Sequence, residues 1–279
     1  MSLTMGTAPF GHDPAGRFNV EAPDRGRLLY IEDSPRRVRG YLGDELVVDS
    51  RRVKLLHEHA HLPVWYFPLD DLRHELLEPT DHHTHCPKKG DASYHSVRVG
   101  DRVAENAVWY YPEPIEGAEG IAGHAAFYFG SLDRWLEEDE EVFVHPRDPY
   151  HRVDVLPTSR SVRISFEGEV LAESSRTKVL FETGLPPRYY VPREDVLGEL
   201  TANEGVTTRC PYKGIASYHD AARQEALAWE YPDPIPVVAE LAGHVCFFGE
   251  RADIEIDGEL QELPPTPWSG TDWIERARA

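Results

Sequence analysis

Short alternations of apolar and polar residues, separated by turn-forming residues, dominate this chain. Residues 38–48 alternate around Gly43-Asp44, and residues 162–172 alternate around Glu167-Gly168. Both segments are therefore predicted to be β-hairpins. Further β-branched or aromatic runs predict additional strands at residues 53–56, 64–67, 179–181 and 189–191.

Helical signals are few. Pro68 and Pro192 each precede a segment that can form a short helix, at residues 70–77 and 193–200, because proline suits the first turn of a helix. The pattern predicts a mainly β (α+β) fold with one or two short helices in each half of the chain.

An internal repeat fixes the organisation of the chain. From Cys86 and Cys210 onward, eight of ten positions are identical, at an offset of 124 residues. Further on the offset is 120 residues, and there residues 109–115 match residues 229–235. The four-residue difference falls at a predicted hairpin tip around Gly100, where insertions are best tolerated.

The repeats are large enough to be two tandem domains. The sequence predicts an N-terminal arm at residues 1–34, a first repeat at 35–148, a second repeat at 149–263 and a C-terminal tail at 264–279. The arm is rich in Gly and Pro and lacks periodicity, so we expect it to be poorly packed. The acidic run at residues 137–141 favours a solvated connector over a partner-binding tail.

Composition narrows the class of partner. The chain has 279 residues with 29 Lys and Arg against 49 Asp and Glu, a net charge of −20. Such a charge repels phosphate backbones and anionic lipid, so we expect neither nucleic acid nor membrane partners. No apolar run approaches the ~20 residues of a membrane helix, and three cysteines cannot build a disulfide framework. We expect a soluble cytoplasmic protein without a cofactor or metal.

The repeated residues carry a family resemblance. Cys-Pro-x-Lys-Gly-x-Ala-x-Tyr, Trp-x-Tyr-x-x-Pro and Gly-His-x-x-Phe occur in both halves, and they resemble the family known as domain of unknown function 427, in particular its tandem actinobacterial-type members. The second repeat is the fuller match, since Lys88 stands where the second repeat has Tyr212. The resemblance supports the fold and the boundaries. A nucleotidyltransferase-like label attached to the family does little to define the chemistry.

A cluster of repeated polar residues is the main candidate for chemistry. The candidate catalytic residues are Cys210, Lys213, Tyr218 and His244, with Cys86, Lys89, Tyr94 and His124 as counterparts in the first repeat. A cation beside a thiol favours the thiolate, and a histidine can act as its base. Cysteine is also among the most buried residue types, and Pro-x-Lys-Gly is a turn sequence, so a purely structural role is equally open.

Further residues are candidates for ligand binding: Arg176, Glu182, Tyr190, Trp229 and Tyr231. Arginine and lysine grip carboxylate or phosphate, and aromatic rings line concave pockets. Such rings more often form the core of a sheet. No phosphate-binding glycine motif follows a strand, so a standard nucleotide-binding fold is not predicted.

The stretch from His57 to His61 formally contains His-Glu-x-x-His. This motif binds zinc only on a helix, where both histidines share one face. A β-branched run precedes it, Pro63 follows it, and the second repeat has no histidines there. We therefore reject a zincin, although His57, His59 and His61, with His82, His83 and His85, leave an adventitious metal site open.

These observations lead to a primary hypothesis with two alternatives. Each repeat forms a pocket for a small polar or anionic metabolite, with activity mainly in the second repeat. There Lys213 would hold an anion or carbonyl, His244 would be the acid or base, Tyr218 a donor, and Cys210 a pocket wall or nucleophile. The first alternative is a non-enzymatic protein-interaction module. The second is nucleotidyl or other group transfer with Mg²⁺, which would need Glu173, Glu182 and Asp195 to converge.

Overall fold

The computed structural model describes residues 3–278, which form two units divided between His151 and Arg152. The strands of the first unit are β1 (Leu29–Asp33), β2 (Val38–Leu42), β3 (Glu45–Ser50), β4 (Lys54–Glu58), β5 (Val64–Pro68), β6 (Leu77–Cys86), β7 (Gly90–Val99), β8 (Arg102–Tyr110), β9 (His124–Phe127), β10 (Arg134–Glu137) and β11 (Glu140–Val142). Those of the second are β12 (Val153–Pro157), β13 (Val162–Phe166), β14 (Glu169–Ser174), β15 (Lys178–Glu182), β16 (Arg188–Pro192), β17 (Thr201–Cys210), β18 (Gly214–Ala221), β19 (Gln224–Glu230), β20 (His244–Phe247), β21 (Asp253–Ile256) and β22 (Glu259–Leu260).

Helical structure is confined to short pieces. The 3₁₀ turns are Arg25–Arg27, Leu69–Asp71, His74–Leu76, Glu119–Ile121, Phe129–Ser131, Arg193–Asp195 and Pro236–Leu241, and an α-helix, α1, spans Asp272–Arg278. The fold class predicted from the sequence is confirmed. The predicted helices at residues 70–77 and 193–200 are wrong in type, because those segments form only 3₁₀ turns before the chain re-enters the sheet.

Each unit contains the same pair of antiparallel sheets. The large sheet has the order β1-β4-β5-β9-β8-β7-β6 in the first unit and β12-β15-β16-β20-β19-β18-β17 in the second. The small sheets are β11-β10-β2-β3 and β14-β13-β21-β22. Strand for strand the two orders correspond, so the repeat seen in the sequence is a repeat of topology.

The large sheet contributes buried side chains on both of its faces. Successive side chains of a strand point to opposite sides of the sheet, and β5 shows the two environments. In β5, Trp65 and Phe67 join the core that includes small-sheet residues, whereas Tyr66 joins a second cluster on the opposite face. That second cluster also contains Tyr94 and Tyr111. The repeated tyrosines of the sequence motifs therefore share the face that lies away from the small sheet.

Both predicted hairpins around Gly43-Asp44 and Glu167-Gly168 are present, as β2–β3 and β13–β14. The chain ends differ from expectation. Leu29–Asp33, predicted to be part of a loose arm, pairs with β4 at the edge of the large sheet. Thr4 and Ala8 are buried. The tail carries α1, whose Trp273 is buried. In the described residues no helix has the length and hydropathy to cross a membrane.

Candidate functional site

The site begins at the tip of the β6–β7 hairpin. The turn Pro87-Lys88-Lys89 closes with a hydrogen bond from the Lys89 amide to the Cys86 carbonyl at 3.2 Å, and the second repeat has the same bond from Lys213 to Cys210 at 3.3 Å. The following Gly90 has φ +101°, a conformation that side chains oppose. The Lys-Gly pair of the motif is therefore a requirement of the turn.

The Trp-x-Tyr-x-x-Pro segment holds this turn in place. The amide of Ile115 donates to the Lys89 carbonyl at 3.2 Å, and Ile235 donates to Lys213 at 3.1 Å. A Cβ on Gly90 would lie 3.3 Å from the Glu113 carbonyl oxygen, so only glycine permits this approach without displacement. Two motifs that are separate in the sequence thus form one structural unit.

The lysine of the turn is buried and paired with a carboxylate. Lys213 Nζ lies 2.5 Å from Glu182 Oε2 at the end of β15. In the first repeat Lys89 makes the same contact with Glu58 at the end of β4, and Lys88 Nζ adds a second at 3.1 Å. The first repeat therefore carries one net positive charge at this point, whereas Lys213 and Glu182 balance each other.

The pKa shifts follow from burial and pairing. Burial alone would raise the pKa of Glu58, but hydrogen bonds and charge from Lys89 and Lys88 lower it overall. Burial opposes the charge on Lys213, yet the attraction of Glu182 raises its pKa. The Glu58 carboxylate and the Lys213 ammonium are therefore charged at neutral pH.

The predicted tyrosines and tryptophans form the walls beside this pair. Trp229 Nε1 donates to the Tyr190 hydroxyl at 3.1 Å, and Trp109 donates to Tyr66 at 3.3 Å. The hydroxyl of Tyr218 lies 2.8 Å from Thr208 Oγ1. The matching contact in the first repeat joins Tyr94 and Thr84, also at 2.8 Å.

The remaining tyrosines of the motifs are enclosed as well. Tyr231 belongs to the same buried cluster as Tyr190 and Trp229. Burial raises the pKa of Tyr190 and Tyr231 well above the ordinary value. These phenols are neutral hydrogen-bonding groups at neutral pH.

Two of the predicted site residues do not join the site. His244 and His124 lie at the start of β20 and β9, where each ring Nδ1 bonds a carbonyl two residues earlier, Ala242 at 3.0 Å and Ala122 at 2.8 Å. His124 lines a separate open depression with Asp33 and Lys54. In the described residues each ring Nδ1 is bonded to its own backbone, which gives no support to a histidine base for the cysteine.

Arg176 is also placed elsewhere. Its guanidinium lies 2.5 Å from Asp195 and 2.9 Å from Glu194 on the exposed surface. Asp195 also accepts from Ser174 at 2.5 Å. The predicted gathering of Glu173, Glu182 and Asp195 is therefore not formed, since Glu182 pairs with Lys213 and Asp195 belongs to this surface network. Among residues 3–278 no group of three or more His, Cys, Asp or Glu side chains could hold a metal.

The histidine-rich stretch lies on a strand and a turn. His57 is in β4 and fully buried, with Nε2 2.9 Å from Glu32 Oε1. Glu58 points to the opposite face, toward the lysines. His57 and Glu58, which are adjacent in the sequence, thus lie in different environments on opposite faces of β4. The rejection of a zincin agrees with this geometry.

The first repeat contains a cavity of about 720 Å³ beside the Lys89–Glu58 pair. Cys86 and Lys89 contribute to its wall near the hairpin tip. Ten of its 23 lining residues are aromatic, namely Trp65, Tyr66, Phe67, Tyr94, Trp109, Tyr111, Phe127, Tyr128, Phe129 and Trp135. The site is a pocket with apolar walls and a charged end.

In the second repeat the corresponding space is filled by the protein. Arg188 replaces Val64 and Glu250 replaces Gly130. The two side chains form a buried bidentate pair with distances of 2.7 and 2.5 Å. The guanidinium lies 5.4 Å from the ring centre of Trp229. Trp229 is buried, whereas its counterpart Trp109 is half-buried and lines the cavity.

Sequence reasoning missed these two positions, although the offsets of the repeat expose both of them. It compared what the repeats share and gave the second repeat the main activity. The geometry favours the first repeat instead, because its motif residues border an open volume. The catalytic roles proposed for Cys210, Lys213 and Tyr218 remain predictions.

This fold and site define a tandem β-domain protein with one open and one filled copy of the same pocket. The family model described as a domain of unknown function (DUF427) matches residues 30–138 and 154–258. The chain therefore belongs to this family, with two consecutive copies of its domain. Comparison with curated proteins finds no match.

Replacement of Gly90 by alanine is expected to destabilise the first unit. A side chain at φ +101° beside the Glu113 carbonyl costs about 1–3 kcal/mol in unfolding free energy. Urea denaturation followed by tryptophan fluorescence measures the loss. Gly130→Ala is the control, because a Cβ there meets nothing within 4 Å. Equal effects of the two changes would contradict the assigned role of the turn.

Glu58→Gln is expected to leave Lys89 buried without an anionic partner. The expected loss of stability at pH 7 is about 3 kcal/mol. The pKa of Glu58 is lowered in the folded state, so the pair stabilises fully above the ordinary value of about 4.3 and progressively less as the pH falls below it. The difference in unfolding free energy between the wild type and the variant should therefore become smaller in acid.

The control for this change is Glu78→Gln, which removes the partner of exposed Arg98. Exposed pairs contribute about 0–1 kcal/mol. Denaturation midpoints across a pH series would compare the two variants. A Glu58→Gln effect no larger than that of the control would show that the Lys89–Glu58 pair is not an important part of the fold.

Proposed function

We propose that the first repeat binds a small organic anion with an apolar, preferably aromatic, body. The observation that carries the proposal is the aromatic cavity of about 720 Å³ that ends at Lys89 and Glu58. Ligand pockets typically measure about 300–1,000 Å³ and combine apolar walls with a few polar groups. This supports the small-molecule class over a flat protein-interaction surface.

The charge at the end of the cavity supports an anion. Lys88 and Lys89 both contact Glu58, which leaves one positive charge without a compensating carboxylate in that cluster. Lys88 retains 21% side-chain exposure, so it can turn toward a ligand without losing its solvation entirely. A carboxylate, sulfonate or phosphate head would complete the neutralisation.

The aromatic walls would hold the body of the ligand. The rings of Trp109 and Tyr128 lie 4.6 Å apart at the cavity. Tyr128 is exposed, so it forms part of the rim. Burial of an apolar body against these rings supplies about 25 cal/mol for each Å² removed from water. Binding energy would thus come mainly from the body, and orientation from the head.

The activity that we propose is binding without catalysis. In the folded chain the second repeat has a structural role, and the first repeat binds the ligand. Cys86 lines the cavity, but His124 lies elsewhere. The Lys213–Glu182 pair is internally neutral, and Arg188 with Glu250 occupies the adjoining space. Neither repeat brings the predicted cysteine, lysine and histidine into one catalytic arrangement.

Filling the cavity of the first repeat tests the proposal. Val64→Arg with Gly130→Glu transfers the ion pair of the second repeat, and Gly130 has room for a side chain. The probe is anilinonaphthalene sulfonate, titrated by calorimetry into the full chain. We expect one bound probe per wild-type chain and an affinity loss of at least about tenfold in the double variant.

A control with the same charges placed elsewhere is Val20→Arg with Gly16→Glu. Val20 is exposed, and a Cβ on Gly16 meets nothing within 4 Å. Near-ultraviolet circular dichroism verifies that all variants are folded. Wild-type affinity in the filled variant, or no binding to the wild type, would refute the proposal.

The charge assignment has its own test. Lys88→Gln should weaken binding of anilinonaphthalene sulfonate about fivefold, which corresponds to one ion pair of about 1 kcal/mol. Binding of the neutral analogue phenylnaphthylamine should be unchanged, because it uses only the aromatic walls. Fluorescence titration measures the ratio of wild-type to variant affinity for each probe. An equal loss for both probes would assign Lys88 to wall structure instead of anion recognition.

A further inference from the structure

The chain's own C-terminal segment closes the second repeat's site. Residues 264–278, termed here the C-terminal cover, follow β22 and differ in sequence from the residues at the same offset after the first repeat. Thr266 Oγ1 donates to Glu250 Oε1 at 2.5 Å. The ring of Trp268 lies 5.9 Å from the Arg188 guanidinium. The cover therefore contacts both members of the ion pair that fills the site.

The helix of the cover adds a second layer over the same aromatic face. The ring of Trp273 lies 5.2 Å from that of Tyr218 and 5.3 Å from that of Phe248. Tyr218 and Phe248 correspond to Tyr94 and Tyr128, which line the open cavity of the first repeat. Protein side chains thus take the place in the second repeat that the proposed ligand takes in the first.

The cover has few polar attachments, although Trp273 and Ile274 are buried in the core of the second repeat. The helix α1 has seven residues, a length at which an isolated helix is unstable in water. The Trp273 Nε1 atom is buried and meets no acceptor among the described residues. Arg278 pairs with Glu225, and both side chains are more than 40% exposed, so this contact contributes little. A chain end held by two buried side chains and one exposed ion pair opens at lower free energy than the central strands that it covers.

We propose that the C-terminal cover is a built-in, displaceable occupant, and that the uncovered second repeat binds an apolar aromatic molecule. The inference rests on the proposed function, since it assumes that the shared aromatic face is a ligand site. The ligand proposed for the second repeat differs in charge from the anion proposed for the first repeat. Tyr212 stands in place of Lys88, and Lys213 is balanced by Glu182, so the second site accepts a neutral body and has no preference for an anion.

The test uses the full chain with the first repeat already filled by Val64→Arg and Gly130→Glu. Into this background we introduce Arg188→Val, Glu250→Gly and Trp273→Ala, which give the second repeat the open side chains of the first and loosen the cover. We expect one site for phenylnaphthylamine, with an affinity within about tenfold of that of the wild-type first repeat. The background alone, in which the ion pair and the cover are intact, should bind at least about tenfold more weakly than this variant.

The outcomes separate this inference from the proposed function. Binding by the wild-type first repeat is established beforehand, so a folded variant that binds no phenylnaphthylamine overturns the inference alone. Matched titration with anilinonaphthalene sulfonate should give no stronger binding than the neutral probe. A clear preference for the sulfonate would overturn the assigned ligand class.

Hydrogen–deuterium exchange of the unmodified chain provides a second test that needs no substitution. Amides of the cover should exchange as one group, at least about tenfold faster than those of β19 and β20. Saturation with phenylnaphthylamine should accelerate exchange in the cover further, because the probe competes with it. Exchange of the cover only at the rate of the central strands would show that it does not open separately and would overturn the inference.

Discussion

A lysine ammonium buried at the tip of a hairpin requires a carboxylate beside it, and both repeats are arranged around this requirement. Lys89 and Lys213 meet Glu58 and Glu182, the last residues of β4 and β15. The contact needs a tight turn, the turn needs a glycine at positive φ, and the backbone of the Pro-containing segment fixes the lysine carbonyl. Loss of one partner would leave a charge in a place that water reaches poorly. Three sequence segments are thus coupled through one ion pair.

The buried Lys–Glu pair and its turn are common to both repeats. The repeats differ in the side chains that lie next to this pair. Arg188 and Glu250 appear together in the second repeat, and Val64 and Gly130 stand at the same positions in the first. A buried arginine without its carboxylate is strongly destabilising, so the two residues are expected to be gained or lost as a pair. Their joint absence leaves space beside Trp109, whereas their presence fills it beside Trp229. One concerted exchange therefore separates an open pocket from a packed core on the same scaffold.

The sequence revealed the fold because alternation and self-identity are local signals, as in the hairpin at Gly43-Asp44. It also paired Glu58 with Glu182, but it could not show that each meets a lysine 31 residues away. Arg176, a candidate for ligand binding, pairs with Asp195, and the residues at the same positions of the first repeat, Arg52 and Asp71, pair in the same way. The motif could not show that the ring Nδ1 of His244 bonds the Ala242 carbonyl at the start of β20. The C-terminal cover differs in sequence from the residues at the same offset after the first repeat, and its packing depends on contacts distant in sequence.

The charge of the whole chain and the charge of the pocket have opposite signs, and distance decides which one a ligand experiences. The net charge of −20 repels an anion during its approach. At physiological ionic strength this field decays over about 8 Å, whereas Lys89 lines the cavity and acts at contact distance, with Lys88 beside it on Glu58. A strongly charged, compact anion would be repelled and would gain little from aromatic walls. A ligand with a large apolar body and a single charge loses little during approach and gains from burial. The shape and the charge of the first repeat's cavity therefore support the same proposed class of ligand.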